Sequence, residues 1–206
     1  MVLCGGKSSR MGTPKMLLPF GHELLLQRMV RIVRDVVSPV AVVRAKTQSL
    51  PELPPETVIV TDEHDSLGPL AGLYSGLTAL THSADAVYAT SCDAPLLMPE
   101  FVRYVCDHLQ DADMAICRGG RYHHPLAAVY RTNLANKIAE LISQDRLRPV
   151  YLMDECDARV IDVESIRPVD PGLDSLRNMN TPEDYRLLLK QAGLSSSDSG
   201  SLKVEE

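Results

Sequence analysis

The sequence contains no tryptophan, only two phenylalanines among 206 residues, and no long apolar run. With so few aromatic rings the core has to be aliphatic, as in sheets that helices cover on both faces. No apolar run approaches the roughly 20 residues of a transmembrane helix, and no secretory signal precedes the first apolar segment. We therefore expect a cytoplasmic protein that has no contact with a membrane.

A surplus of positive charge is also absent, because 21 lysines and arginines face 27 acidic residues and the net charge is −6. Nucleic-acid binders neutralise phosphates with surplus cations, so we expect no nucleic-acid partner. A single nucleotide needs only a few local cations and is compatible with this balance. The five cysteines are odd in number and form no CxxC pair, which predicts reduced thiols and no zinc site.

The length predicts one domain, over residues 1–192. Residues 193–206 are rich in serine and are predicted to be a disordered tail. At the other end, residues 2–4 are short for a first strand, so we expect the strand to continue into residues upstream of Met1.

Short apolar runs alternate with amphipathic stretches along the chain, which predicts an α/β fold with a mostly parallel sheet and helices on both faces. Thr132 and Thr181 are predicted to cap the helices that follow them. The predicted strands are residues 2–4, 40–43, 58–60, 86–89, 114–117, 126–130 and 160–163, and the predicted helices are 22–36, 70–80, 99–109, one from 132, and 181–191.

A loop rich in glycine and cations follows the first strand, from Gly5 to Lys15. Glycines allow backbone N–H groups to approach phosphate oxygens, and Arg10 and Lys15 supply the opposite charge. The spacing fits neither a P-loop nor a dinucleotide-binding fingerprint. Alternatively, the segment is a solvated connector with a chance basic cluster.

Three later segments carry chemistry of the same kind. Asp93 leaves a buried strand and could hold Mg²⁺, or it could cap local N–H groups. The acidic residues 62–65 precede Gly68-Pro69, where a helix N-terminus could face a nucleotide or simply start at the surface. Asn178 and Asn180 lie one residue apart on a strand-like segment, so we expect them to point to opposite faces. One could reach the ligand and the other brace the loop, or both could serve the turn.

The pair His123-His124 invites a metal interpretation, but adjacent residues rarely converge on one metal ion. We expect these histidines to lie in a loop before the strand at residues 126–130.

Taken in order, the four segments resemble the molybdenum cofactor guanylyltransferases. These belong to the wider nucleotidyltransferases that make activated sugars and cytidylylated intermediates. The resemblance covers residues 2–189 and rests on the segments GGKSSRMG…K, GPLAG, CDAP and NMNTPED. It implies a Rossmann-like three-layer α/β/α sandwich, like that of the nucleotide-diphospho-sugar transferases.

The resemblance implies transfer of GMP from Mg-GTP to the terminal phosphate of molybdopterin, with release of pyrophosphate. Arg10 would stabilise the leaving pyrophosphate, Lys15 the charge on the α-phosphate, and Asp93 would hold Mg²⁺ with Asn178 or Asn180 at or near the metal. Transient contact with other molybdenum cofactor enzymes is also implied. The implied nucleotide contacts are Leu3, Cys4, Gly5, Gly6, Lys15, Asp62, Gly68, Pro69, Leu70, Asp93, Asn178 and Asn180.

The chain departs from the family pattern in three places. Cys4 replaces the usual alanine, and Thr13-Pro14 replaces the usual Gly-x-Asp before the lysine. Residues 15–21 also resemble the molybdopterin cytidylyltransferases. Gly5-Gly6 and the segments at 68–70 and 178–182 favour guanine over cytosine.

Two alternatives therefore remain beside a guanylyltransferase. One is a CTP-dependent cytidylyltransferase acting on molybdopterin or another phosphorylated small molecule. The other is a non-catalytic nucleotide-binding protein, which the intact Arg10, Lys15 and Asp93 disfavour. Loops at residues 118–125 and 146–151 are candidates for acceptor binding because of their cations and their position.

Overall fold

The computed structural model describes residues 1–5 and 13–194. Its strands are β1 (Val2–Leu3), β2 (Pro19–Phe20), β3 (Glu23–Leu24), β4 (Ala41–Ala45), β5 (Val58–Asp62), β6 (Ala86–Ser91), β7 (Met114–Gly119), β8 (Tyr122–Arg131) and β9 (Ala158–Asp162). Its α-helices are α1 (Leu25–Arg34), α2 (Pro69–Leu80), α3 (Pro99–Asp107), α4 (Leu134–Ser143) and α5 (Pro182–Gln191). Among the described residues, none of the helices has the length and apolar character needed to span a membrane.

Seven strands form one sheet, in the order β5-β4-β1-β6-β8-β7-β9. The pairs β5–β4, β4–β1, β1–β6 and β7–β9 are parallel, and β8 runs antiparallel to both of its neighbours. The reversal follows from a tight hairpin between β7 and β8, where Gly120 has a positive φ of 58°. The predicted mostly parallel sheet is confirmed, with one reversed strand inside it.

Helices cover both faces of this sheet, and the alternation of side chains along the strands explains how. Val2 packs in the cluster that contains residues of α1 and α3, whereas Leu3 packs in the cluster that contains residues of α2 and α4. Successive strand residues point to opposite faces, so both faces of β1 and β4 are apolar. The predicted three-layer α/β/α sandwich is confirmed.

The first helix begins later than predicted, at Leu25 instead of His22. Residues 19–24 are taken up by a two-stranded hairpin in which Pro19 pairs with Leu24, and Gly21 turns the chain with a φ of 70°. Helix α1 then buries one face through Leu25, Leu26, Met29, Val30, Ile32 and Val33. The helix predicted from apolar periodicity included this turn, because strands of only two residues give no pattern that could mark the hairpin.

The second half of the chain corrects four further predictions. Thr132 does not cap α4: Asn133 is the N-cap residue, and the Thr132 hydroxyl donates to the carbonyls of Ala84 and Asp85. His123 and His124 lie within β8, not in a loop before it. The last strand spans Ala158–Asp162 instead of residues 160–163, and residues 177–180 lie outside any regular strand.

Helix α5 has both ends stabilised, the first as its sequence predicts and the second by residues that were predicted to belong to the tail. Thr181 and Asp184 form a capping box at the start, with Pro182 in the first turn. At the end, the N–H of Leu194 donates to the carbonyl of Leu189, and the N–H of Gly193 donates to the carbonyl of Lys190, which is the Schellman pattern. Gly193 and Leu194 therefore belong to the helix cap, and the rest of the predicted tail, residues 195–206, lies outside the described residues.

Candidate active site at the carboxyl edge of the sheet

A cleft opens where the neighbouring strands β5, β4, β1 and β6 end. One cavity of about 290 Å³ is lined by residues from all four strand ends, by Gly68, Pro69 and Gly72 of the α2 start, and by Leu126 and Asn178. A second cavity of about 220 Å³ is lined in part by Gly5, Pro14, Lys15 and Gln48. The two share Leu3, Gly5, Ser91 and Asp93, so they form one continuous cleft. Ligands of open α/β sheets bind at this edge.

At the centre of the cleft, three side chains from distant parts of the chain meet. The Lys15 ammonium lies 3.0 Å from Oδ2 of Asp93 and 3.0 Å from Oδ1 of Asn180. Lys15 is placed by a short 3₁₀ turn after Pro14, and Asp93 follows the end of β6. The sequence predicted these three residues as parts of one site, and the structure brings them together.

Two hydrogen bonds hold Asp93 in place. The Ser91 hydroxyl donates to its Oδ1, and the Met179 N–H donates to its backbone carbonyl at 2.8 Å. The second bond also ties the segment before α5 to the end of β6, which is how Asn180 reaches the cleft. The backbone N–H of Asn180 in turn donates to Oδ2 of Asp184 in the capping box.

The donor set at this point suits a divalent cation. A carboxylate oxygen and an amide oxygen are ligands that Mg²⁺ accepts, with the remaining positions left to water and phosphate oxygens. Among residues 1–5 and 13–194, no group of three or more His, Cys, Asp or Glu side chains converges. A cation held by Asp93 and Asn180 would thus depend on phosphate oxygens and water for most of its shell.

The far end of the larger cavity is built from β5 and the start of α2. Asp62 is 6% exposed and accepts hydrogen bonds at Oδ1 from the His64 N–H and the Ser75 hydroxyl. Gly68 precedes α2 with a φ of 80°, in the region that favours glycine, and Pro69 opens the helix beside the cavity. This end offers a buried carboxylate and a helix N-terminus to a ligand.

The remaining predicted contacts divide into three groups. Leu3, Cys4 and Gly5 line the cleft, and Cys4 donates its Sγ–H to the carbonyl of Val43. Burial raises the pKa of the Cys4 thiol to about 12, so it brings no charge to the site. Leu70 does not reach the cavity with its side chain, which is fully buried against the core. Gly6 and Arg10 lie outside the described residues.

The end of β4 and the loop after it contribute two residues that sequence reasoning missed. Gln48 donates from Nε2 to the Cys4 carbonyl and accepts at Oε1 from the Ala45 N–H, which fixes the loop against the first strand. Arg44 lines the larger cavity, and its Nη1 donates to the carbonyl oxygens of Lys46 and Gln48. In the described part of the chain, no carboxylate lies within ion-pair distance of Arg44. The sequence signal that could have identified Arg44 is its position as a single arginine near the carboxyl end of an apolar strand.

The two loops predicted for the acceptor differ in their relation to the cleft. Residues 118–125 form most of the hairpin that leads into Leu126, a residue of the cavity wall. In the other loop, Arg146 forms ion pairs with Asp154 and Glu155 and also lies over the Tyr151 ring. The cations of that loop are thus engaged with their own neighbours.

Comparison with known proteins shows the family to which this chain belongs. The family described as the MobA-like NTP transferase domain matches residues 1–158. A probable molybdenum cofactor guanylyltransferase of Carboxydothermus hydrogenoformans is 30% identical over 189 residues, which cover 92% of this chain and 93% of the relative. A protein of the same description from Mycobacterium avium is 36% identical over 195 residues, covering 91% and 93%.

The fold is also shared with a solved structure, molybdopterin-guanine dinucleotide biosynthesis protein A of Archaeoglobus fulgidus. The TM-score is 0.74 at 22% identity, and the match covers 93% of this chain and 97% of that one. Sequence and fold agree with the resemblance seen in the motifs and with a nucleotidyltransferase. The chain belongs to the family of MobA-like NTP transferase domains.

Proposed function

We propose that this protein transfers GMP from Mg-GTP to the terminal phosphate of molybdopterin and releases pyrophosphate, as a single nucleotidyltransferase domain over residues 1–192. The observation that carries the proposal is the meeting of Lys15, Asp93 and Asn180 in the cleft of a chain of this family. Curated relatives that share 30–36% of their residues are described as probable molybdenum cofactor guanylyltransferases.

In this reaction an oxygen of the acceptor phosphate attacks the α-phosphorus of GTP, and the bond between the α-phosphorus and the bridging oxygen breaks. The acceptor is already an anionic nucleophile, so the protein has no hydroxyl to deprotonate. Its task is to align two anions and to stabilise the charge that develops between them. Mg²⁺, held by Asp93 with Asn180, would neutralise phosphate charge in the bound complex.

The cations of the site divide this work between them. Lys15 lies beside Asp93 and Asn180 and would donate to the α-phosphate as its charge grows. Arg10 in the first loop is assigned to the leaving pyrophosphate, by analogy with the family. Loss of one such charge is expected to cost about 10²-fold or more in rate.

For the base, the larger cavity offers both an acceptor and a donor. Asp62 supplies a buried acceptor, and Arg44 supplies a cation without a carboxylate partner among the described residues. Guanine can use both, through its donors at N1 and N2 and its acceptors at O6 and N7. CTP-dependent transfer is the alternative, and we place it second because the relatives of 30–36% identity are described as probable guanylyltransferases.

The test is nucleotide binding by the purified protein, with GTP, CTP, ATP and UTP titrated in the presence and absence of Mg²⁺. Metal-dependent preference for GTP, followed by pyrophosphate release when molybdopterin is added, is the expected result. Preference for CTP would move the function to the alternative, and binding of none would refute the enzyme assignment. We place the protein in the cytoplasm, where its five free cysteines would stay reduced. We expect transient contact with other molybdenum cofactor enzymes there.

A further inference from the structure

The Lys15 ammonium occupies the point that the two candidate metal ligands face. The same nitrogen lies 3.0 Å from Oδ2 of Asp93 and 3.0 Å from Oδ1 of Asn180. Both oxygens are of the hard type that Mg²⁺ prefers. The positively charged ammonium of Lys15 therefore lies between the two oxygens that a divalent cation would bind.

Hydrogen bonds hold Asp93 and the backbone of Asn180 beside Lys15. Ser91 donates to the other carboxylate oxygen of Asp93, and Met179 donates to its backbone carbonyl. Asn180 is anchored through its backbone N–H to Asp184, while its side chain is exposed. A divalent cation at the same two oxygens would lie within a few ångströms of the ammonium. Like charges at that separation repel strongly in a partly desolvated site.

Charge balance points in the same direction. Lys15 pairs with the carboxylate of Asp93, and its charge also acts on the carboxylate of Asp184. A divalent cation at Asp93 would add two positive charges beside the ammonium, which weakens metal binding in the absence of a nucleotide. A nucleoside triphosphate brings negative charge that both cations can contact, so Mg²⁺ should bind more tightly when the triphosphate is present.

We propose that Lys15 and the divalent cation exchange at Asp93 and Asn180. In the free protein the ammonium holds the metal ligands in place and weakens metal binding. When the metal and a triphosphate bind, Lys15 moves from these oxygens to the phosphates, where its charge serves the reaction. This inference rests on the proposed nucleotidyl transfer but not on the identity of the base or the acceptor.

The first test measures the affinity for Mn²⁺ in the absence of nucleotide. Electron paramagnetic resonance reports the concentration of free Mn²⁺ during the titration. Lys15→Met keeps the length of the side chain and removes its charge, and it should bind Mn²⁺ about tenfold tighter than the unmodified protein or better. Lys190→Met, which removes an exposed charge on α5, is the matched control and should change nothing. Asp93→Asn should lose the site. Equal Mn²⁺ affinity for Lys15→Met and the unmodified protein would overturn the exchange.

The second test uses the unmodified protein, so it does not depend on the fold of a variant. Acetylation of Lys15, measured by peptide mass spectrometry, should rise when Mg²⁺ alone is raised to saturation. It should fall again when a GTP analogue with a methylene group between the α- and β-phosphorus is added. Labelling that stays constant at saturating Mg²⁺ would show that Lys15 never leaves Asp93 and Asn180.

The two proposals can fail separately. If CTP is preferred to GTP but Lys15→Met still gains Mn²⁺ affinity, the exchange stands and the guanine assignment falls. If GTP is preferred and the Mn²⁺ affinities are equal, the proposed function stands and the exchange falls.

Discussion

Replacement of Asp93 by asparagine separates the structural role of this carboxylate from its role in the reaction. The asparagine side chain would keep the shape and could still accept from Ser91, but its NH₂ group would face the Lys15 ammonium. The Lys15 and Asp93 side chains are 18% and 19% exposed, so their ion pair is intermediate between a surface pair and a buried pair. A surface pair contributes up to ~1 kcal/mol to stability, and breaking a buried pair costs about 3–5 kcal/mol. We expect a loss of about 1–2 kcal/mol in the free energy of unfolding. For a chain of this size that corresponds to a fall in Tm of roughly 2–8 °C.

The catalytic loss should be larger than this structural loss. If Asp93 holds the metal, kcat should fall by about 10²-fold or more, or roughly 3 kcal/mol of barrier. A protein of ordinary stability, about 5–15 kcal/mol, stays almost fully folded after a loss of 1–2 kcal/mol. The assay pairs thermal melts with pyrophosphate release at saturating Mg²⁺ and GTP. Turnover within about threefold of the unmodified protein would refute the metal assignment, and a Tm drop above ~15 °C would refute the estimate of the structural role.

Three further predictions test the packing, the capping box and the thiols. Gly76→Ala should lower the free energy of unfolding by about 1–2 kcal/mol in urea melts, because a Cβ there would press into Met1 and lie 3.1 Å from Cγ2 of Val43. This overpacking outweighs the gain in helix propensity of up to about 1 kcal/mol, so a more stable variant would contradict the tight contact. Hydrogen bonds from the backbone N–H groups of Asn180 and Thr181 lower the pKa of Asp184 below its usual 3.8. The stabilisation is therefore present above about pH 4 and is lost as the pH falls through the lowered value, and Asp184→Asn should lower Tm at pH 7 but much less near pH 2. An equal effect at both pH values would count against the capping box, with Glu183→Gln as the control. Because burial raises the pKa of Cys4 to about 12, iodoacetamide at pH 8 should modify it far more slowly in the folded protein than in urea, and equal rates would show that the first loop exposes it.

Much of the fold could be predicted from the sequence because its strands and helices carry simple patterns. Residues 41–43 of β4 and 86–89 of β6 are continuous apolar runs, and the Thr-Pro-x-Asp start of α5 is a local signal that needs no tertiary context. The hairpin at residues 19–24 was missed because two-residue strands have no detectable period. The role of Thr132 was missed because its hydroxyl bonds to carbonyls about 47 residues away, and no local pattern reports such a partner.

The candidate site was predictable to the extent that its residues follow strand ends. Asp93 comes directly after β6, and the carboxyl ends of parallel strands meet at one edge of the sheet. Gln48 gave no such signal, because its function is to bond backbone groups that only the folded chain brings near it. The choice of Asn180 as the partner of Lys15 could not be read from the sequence either, since it depends on how the Met179 N–H binds the end of β6.

The reversed strand β8 has a consequence for how this protein can be altered. The parallel strands end at the cleft, whereas the antiparallel strand β8 begins there. The turn between β7 and β8 therefore lies at the cleft edge of the sheet, away from the helices that cover its faces. Residues added to that turn would lengthen one wall of the cleft without changing any strand register or helix contact, since surface hairpins tolerate insertion. The length of this hairpin could therefore be changed while Lys15, Asp93 and the cavity lined by Asp62 and Gly68 stay untouched.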